Sequence, residues 1–383
     1  MSTGVVVSAA VAQRPFVGGH TWVILQYLLG FRSLGYDVLL LDRLEPDMCR
    51  DAAGAPCPVE RSVNVAYLAN VMRHFGLGKS WAVLVPGREP VGMPRGELKR
   101  RTDSATMLLN VMGYLDDHEL LAAAPLRVFL DIDPGFGQMW CALDFHDPFA
   151  GHDRFVSVGG NVGRPGCLVP DCGLSWIPTL PPVALEHWPL VPDGAGFTTV
   201  ASWRGPFAPI DYGGQTFGLR VHEFRKFLPL AERVKAEFEL ALDIDPSDER
   251  DLAALQEHGW TLTHPSTVAH DPISYRSFIQ RSRAELTVAK NMYVDTCSGW
   301  FSDRSACYLA SGKPVLAQDT GFGNQLPTGS GLLSFATLDE ALDGAERLLA
   351  DPDLHALAAR RTAEEHLASD RVLGRLMDDL GIA

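Results

Sequence analysis

The stretch 298–322 reads SGWFSDRSACYLASGKPVLAQDTGF, a turn, a helix and a strand in the order that α/β sheets repeat. It divides into a short turn around Ser298 and Gly299, an amphipathic helix over about 302–311, and a buried strand over 314–318 that ends in Asp319-Thr320-Gly321. Small residues opening a helix leave backbone N–H groups and the positive end of the helix dipole aimed at one spot, which suits a phosphate. Ser302 or Asp303 can cap the helix, Arg304 adds a permanent cation to its first turn, and Gly312 supplies the stop. The strand then releases Asp319, Thr320 and Gly321 at its carboxyl end, where open α/β sheets hold ligand-binding groups. The same residues also fit an ordinary helix and strand, with Ser302 a cap and Arg304 a surface charge.

The remaining pattern repeats this alternation. An apolar run at 5–10, the turn Phe16-Val17-Gly18-Gly19-His20, a helical segment over 21–34 and a second apolar run at 36–42 make a βαβ opening without a GxGxxG dinucleotide fingerprint. Residues 86–101 read as a long loop carrying Gly, Pro and basic residues. A strand over 126–132 runs into Asp131-Ile132-Asp133-Pro134-Gly135. Carboxylates spaced i, i+2 at a strand end point the same way, so repulsion between Asp131 and Asp133 can raise one pKa and make a general base. That spacing equally suits a cap of the next turn. The Gly- and Pro-rich stretch 159–192, with Trp176 and Trp188, reads as a packed passage between domains. A second α/β series then opens with a strand over 197–202, placing Ser202 and Arg204 in its first loop; Lys290 follows a buried strand over 284–288. Helical patterns over 338–349 and 354–380 close the chain.

The block Ala310-x-Gly312-x-Pro314-Val315, the turn Asp319-Thr320-Gly321, then Gly331-Leu332-Leu333 and Leu338-Asp339-Glu340-Ala341, resembles the donor half of GT-B glycosyltransferases. The resemblance implies an α/β fold of two Rossmann-like domains facing across a cleft: 1–190 on the acceptor side, 191–360 holding a nucleotide-diphosphate sugar, and 361–383 a helix returning to the first domain. It implies sugar transfer to a small-molecule acceptor with no cofactor and no metal. In that setting His20 is the first choice as general base, since a neutral imidazole titrates near working pH, with Asp131 and Asp133 in reserve. Gly18 and Gly19 form the acceptor-side loop. Ser298, Gly299, Ser302, Arg304, Ser202 and Arg204 face the diphosphate, Asp319, Thr320 and Gly321 face the sugar, and Lys290 reaches a phosphate or the sugar on the donor side or else only pairs with Glu285. Retaining members carry an E-x7-E pair whose aligned positions here are Gly299 and Cys307, so those roles do not transfer.

Totals narrow the field. A chain of 383 residues points to two domains. A net charge of −14 argues against nucleic-acid and anionic-membrane partners, which reward clustered Lys and Arg. The start lacks a basic leader and no apolar run reaches spanning length, so a cytoplasmic protein is expected. Seven scattered cysteines without a paired CxxC read as reduced and structural. Two other classes stay open: a GT-B-fold epimerase or hydrolase acting on the donor alone, and a non-catalytic nucleotide-sugar binder.

Overall fold

Strands buried on both faces need continuous apolar runs, and runs such as Val5–Val7 and Val38–Leu41 supply them. In the computed structural model, which describes residues 4–205 and 207–382, these runs build two parallel sheets. The first contains β1 (Gly4–Ser8), β2 (Asp37–Arg43), β3 (Trp81–Leu84), β4 (Ala105–Val111), β5 (Arg127–Asp131), β6 (Arg154–Ser157) and β7 (Trp176–Pro178). Its order is β3-β2-β1-β4-β5-β6-β7 with every pair parallel.

The second series runs β8 (Ala195–Ser202), β9 (Ile210–Tyr212), β10 (Gln215–Phe217), β11 (Phe238–Asp243), β12 (Thr261–Thr263), β13 (Ser282–Thr287), β14 (Val315–Gln318) and β15 (Leu332–Phe335). Here β9 and β10 pair as an antiparallel hairpin, and the others form a parallel sheet in the order β12-β11-β8-β13-β14-β15. In each sheet the order reverses beside the first strand, at β1/β4 and at β8/β13. Such a switch point opens a crevice at the carboxyl ends of the strands.

The two layers are fastened together at several places. The helix Gly18–Ser33 follows β1, and Trp22 on it donates to the Pro272 carbonyl (2.7 Å) while its ring lies 4.8 Å from that of Trp188. From the second series, Phe207 reaches across to Phe136 and Trp140, with ring centroids 5.0 and 5.2 Å apart.

The tail expected as one long helix is three pieces: Pro352–Thr362, a π turn Ala363–Leu367, and Ser369–Asp379. Ala368 is extended, and there the chain bonds Val183 on both sides, through Val183 N to Leu367 O (2.7 Å) and Ser369 N to Val183 O (2.9 Å). This break turns Ser369–Asp379 onto the helix Gly18–Ser33, where a Cβ on Gly30 would sit 2.5 Å from Leu373. The stretch 86–101, expected as loop throughout, turns helical at Arg95–Asp103, and Arg95 bridges Asp117 and Glu119. No helix among the described residues is long and apolar enough to cross a membrane.

Candidate active site in the cleft between the sheets

A cavity of about 410 Å³ lies between the two layers. From the first layer it is lined by the Phe16–His20 turn, and from the second by the carboxyl end of β8, Arg220, Tyr275 and the start of the helix Asp303–Ala310. Of the residues expected to carry chemistry, Gly19, His20, Ser202, Ser302 and Arg304 line this cavity together.

His20 donates from Nε2 to the Ala10 carbonyl (2.6 Å), because a carbonyl oxygen can only accept; Nδ1 therefore keeps its lone pair. Burial, with the Arg14 charge adding to it, pushes the imidazole down to about 4. His20 is thus neutral at ordinary pH and is an acceptor for a hydroxyl proton, but a weaker base than the sequence led us to expect.

Ser302 caps its helix, its Oγ accepting from the Arg304 amide (3.2 Å). Arg304 is not a surface charge, and its guanidinium is committed to the protein rather than to a ligand. It donates to Glu285 Oε1 (2.5 Å), to the Val200 carbonyl (2.8 Å) and to Thr287 Oγ1 (2.5 Å). Glu285 is 0% exposed, so Arg304 exists chiefly to neutralise a carboxylate inside the second layer.

The cation left over in the cleft is Arg220, which sequence reasoning passed over. It opens the short helix Arg220–Phe224 after Gly218, and its Nη1 donates to the Ser202 carbonyl (3.1 Å). No carboxylate lies within ion-pair distance of it among the described residues, and its Nε has no partner. Burial, then repulsion from Arg304, lowers its pKa to about 10. An arginine closing a Gly-rich segment just before a helix was the available signal.

Several expected site residues belong instead to the seam between the layers. Asp133 pairs with Lys290 (Nζ to Oδ1 3.0 Å and Oδ2 2.8 Å) and accepts from the Tyr293 hydroxyl, so neither Asp133 nor Lys290 is free for chemistry. Asp131 is 1% exposed, with Oδ2 held by Ser157 and Gln138 (both 2.7 Å) and Oδ1 by the Asp133 amide (3.1 Å). Its pKa is indeed raised, to about 6, but burial is the main cause and the Asp133 charge a minor one. No substrate proton can reach it.

Ser298 is fully buried and its Oγ meets the Tyr293 carbonyl (3.4 Å) and the Trp300 amide (3.3 Å). The Gly299 amide donates to the Thr320 carbonyl (2.7 Å), which removes it from any phosphate cradle. Gly299 and Gly321 both take positive φ, 76° and 85°, and both press on Asn161, whose side-chain amide reaches the carbonyls of Cys297 (3.0 Å) and Gly321 (3.2 Å). Thr320 is buried, donating to the Trp300 carbonyl, and the exposed Asp319 only closes its own turn through the Gly321 amide (2.8 Å). Arg204 is exposed and paired with Asp248 (Nε to Oδ2, 3.0 Å) away from the cavity lining. Gly18 does not face an acceptor: its amide bonds the Ala269 carbonyl (2.9 Å), and a Cβ there would stand 2.2 Å from the Asp271 carbonyl oxygen.

No protein-family model matches the chain, and no curated protein matches it in sequence. Solved structures do match in shape. AviGT4, a glycosyltransferase involved in avilamycin A biosynthesis, is similar over 98% of this chain and 96% of its own at 14% identity, with a TM-score of 0.55. An α-glucosyltransferase in complex with UDP and a 13-mer DNA is similar over the whole of both chains at 10% identity, with a TM-score of 0.60. HepE of Anabaena, in complex with UDP and glucose, is similar over the whole of both chains at 8% identity, with a TM-score of 0.57. The two facing parallel sheets and these likenesses together make the architecture that of the GT-B glycosyltransferase fold.

Proposed function

We propose that this chain is a glycosyltransferase that moves a sugar from a nucleotide-diphosphate sugar to a small-molecule acceptor without a metal. The observation that carries this reading is the unpaired Arg220 guanidinium on the cleft, beside the first turn of the helix Asp303–Ala310. A cation with no carboxylate partner among the described residues is complementary to a departing diphosphate, whose charge grows as the glycosidic bond breaks. Arg220 would supply the countercharge that other phosphate sites take from an ion. On the opposite wall the neutral His20 Nδ1 would accept the hydrogen bond of an acceptor hydroxyl and orient it. Structural neighbours solved with UDP support a nucleotide sugar, and the net charge of −14 favours a small acceptor over a polyanion such as the DNA of one neighbour.

The test is calorimetry with UDP, GDP, ADP and dTDP, with and without EDTA. One of them should bind regardless of EDTA, and Arg220→Ala should weaken it roughly ten- to hundred-fold, the value of a charge-assisted hydrogen bond. Its melting temperature should stay near that of the wild type, since no protein carboxylate depends on Arg220. Binding of none of the four, or full affinity in Arg220→Ala, would overturn the reading. A donor consumed without any acceptor would instead favour an epimerase or hydrolase.

A further inference from the structure

We infer that Asp303 reads the sugar of the donor: its carboxylate accepts hydrogen bonds from hydroxyls of the glycosyl group held between Arg220 and His20. This rests on the proposed reading of the cleft as a nucleotide-sugar site and names the group within it that recognises the sugar.

Asp303 is the first residue of the helix Asp303–Ala310 and lines the cleft cavity together with His20 and Arg220. It also lines a pocket of about 20 Å³ against the first layer, next to Tyr27 and Trp300. Each other carboxylate at this meeting of the layers has its partner: Asp131 has Ser157 and Gln138, Asp133 has Lys290, and Glu285 has Arg304. Asp243, also on the cleft wall, is exposed and solvated. Asp303 is half-buried on the cavity wall, and no other described residue donates a hydrogen bond to its carboxylate. The adjacent guanidinium cannot serve it, being spent on Glu285, Val200 and Thr287.

A half-buried carboxylate that no protein donor satisfies gains hydrogen bonds from a ligand that brings donors into the cavity, and the gain grows as the ligand displaces water there. Nucleoside diphosphates bring further negative charge, which Asp303 repels. Sugar hydroxyls bring neutral donors at the spacing a carboxylate accepts. A group that penalises the bare leaving group and rewards the attached sugar distinguishes donor from product, so Asp303 would also favour release of the spent diphosphate.

The surroundings give the carboxylate a testable pH response. Burial raises it to about 6, with Glu285 of β13 and Asp133 beyond β5 pushing the same way and Arg304 on its own helix opposing. Tyr27 and Tyr275, from the helices Gly18–Ser33 and Pro272–Gln280, and Cys307 on its own helix are all held neutral by burial. The cleft wall also carries the exposed side chains of Asp243 and His264, together with His20, neutral above about 4, and Arg220, charged below about 10. Of His20, Arg220 and Asp303, Asp303 is the one whose charge changes between neutral and mildly acid pH, and the Asp303→Asn comparison separates its response from that of any other group on the cleft.

The experiment compares, by calorimetry, whichever nucleoside diphosphate binds with its glucose and galactose conjugates, in wild type, Asp303→Asn and Asp303→Ala. Wild type should gain affinity from at least one attached sugar. Both variants should keep the affinity for the bare diphosphate, or improve it, and lose roughly ten- to hundred-fold for the conjugate. In wild type the gain from the sugar should fade as the pH falls below about 6, and in Asp303→Asn it should be small and flat. Bare diphosphate that binds while the conjugate binds wild type and Asp303→Asn equally overturns this inference and leaves the nucleotide site standing. Wild type that gains nothing from either sugar overturns it too. Failure of every diphosphate to bind wild type overturns the nucleotide-site reading itself. Asp303→Asn keeps shape and volume, so it remains readable if Asp303→Ala fails to fold.

Discussion

Replacing Arg304 by Ala should unfold this protein far more readily than it weakens a ligand. The substitution leaves Glu285, 0% exposed, without its cation, and also strips donors from the Val200 carbonyl and Thr287 Oγ1. Breaking a buried pair by removing one partner costs about 3–5 kcal/mol, because the orphaned charge can neither leave nor be solvated. For a domain of this size each kcal/mol lowers the melting temperature by about 2–4 °C, so the second layer should melt roughly 6–20 °C earlier. Differential scanning calorimetry reads this directly. The double variant Arg304→Met, Glu285→Gln removes both charges and should recover most of the loss, since an apolar replacement of a buried pair is often neutral. An Arg304→Ala protein that melts within about 2 °C of wild type and yet no longer binds nucleotide would refute this assignment, because a surface phosphate ligand behaves that way.

Two other perturbations test the seam and the acceptor wall. Gly18→Ala places a methyl carbon 2.2 Å from the Asp271 carbonyl oxygen, so helix and loop must part; a loss of about 1–3 kcal/mol or more is expected in urea unfolding, and wild-type stability would show that the seam yields freely. His20 has a folded pKa of about 4 against 6.5 when unfolded, so the unfolded chain binds more protons between these values and stability is lost as pH falls through that window. Wild type should lose up to roughly 3 kcal/mol more than His20→Gln between about pH 7 and about pH 4, and parallel pH profiles for the two would show that the imidazole is not held neutral.

The alternation of apolar runs and amphipathic segments was enough to read two parallel α/β layers, because strands covered on both faces leave few other choices. The departures are where local pattern competes with tertiary demand. The period of the tail is helical from about 354 to 380, yet the chain breaks at Ala368, since only a turn there lets Ser369–Asp379 reach the first layer and bond Val183. The Gly-rich stretch 212–218 forms the hairpin β9–β10 rather than an open loop; Gly213 and Gly214 take positive φ in its turn, and Phe207 and Gly218 press on Phe136.

The site was less legible, for one physical reason: groups that suit a ligand also suit the other half of the same protein. Where two layers meet at the carboxyl ends of their strands, each layer is the other's first ligand. Asp133 and Lys290 have the charge and reach of catalytic groups, and they satisfy one another across the seam. The Gly299 amide and the Thr320 carbonyl lie where phosphate and sugar contacts were expected, and they too pair with each other. Sequence shows which residues can donate, accept or carry charge, but not which of them the fold has already used. Function is left to what pairing has not consumed. Among the half-buried groups on the walls of one cavity of about 410 Å³ that remainder includes the guanidinium of Arg220, the Nδ1 of His20 and the carboxylate of Asp303, a cation, a neutral acceptor and an anion. A nucleotide sugar meeting an acceptor hydroxyl needs those three kinds of group, in that division between phosphate, acceptor and sugar.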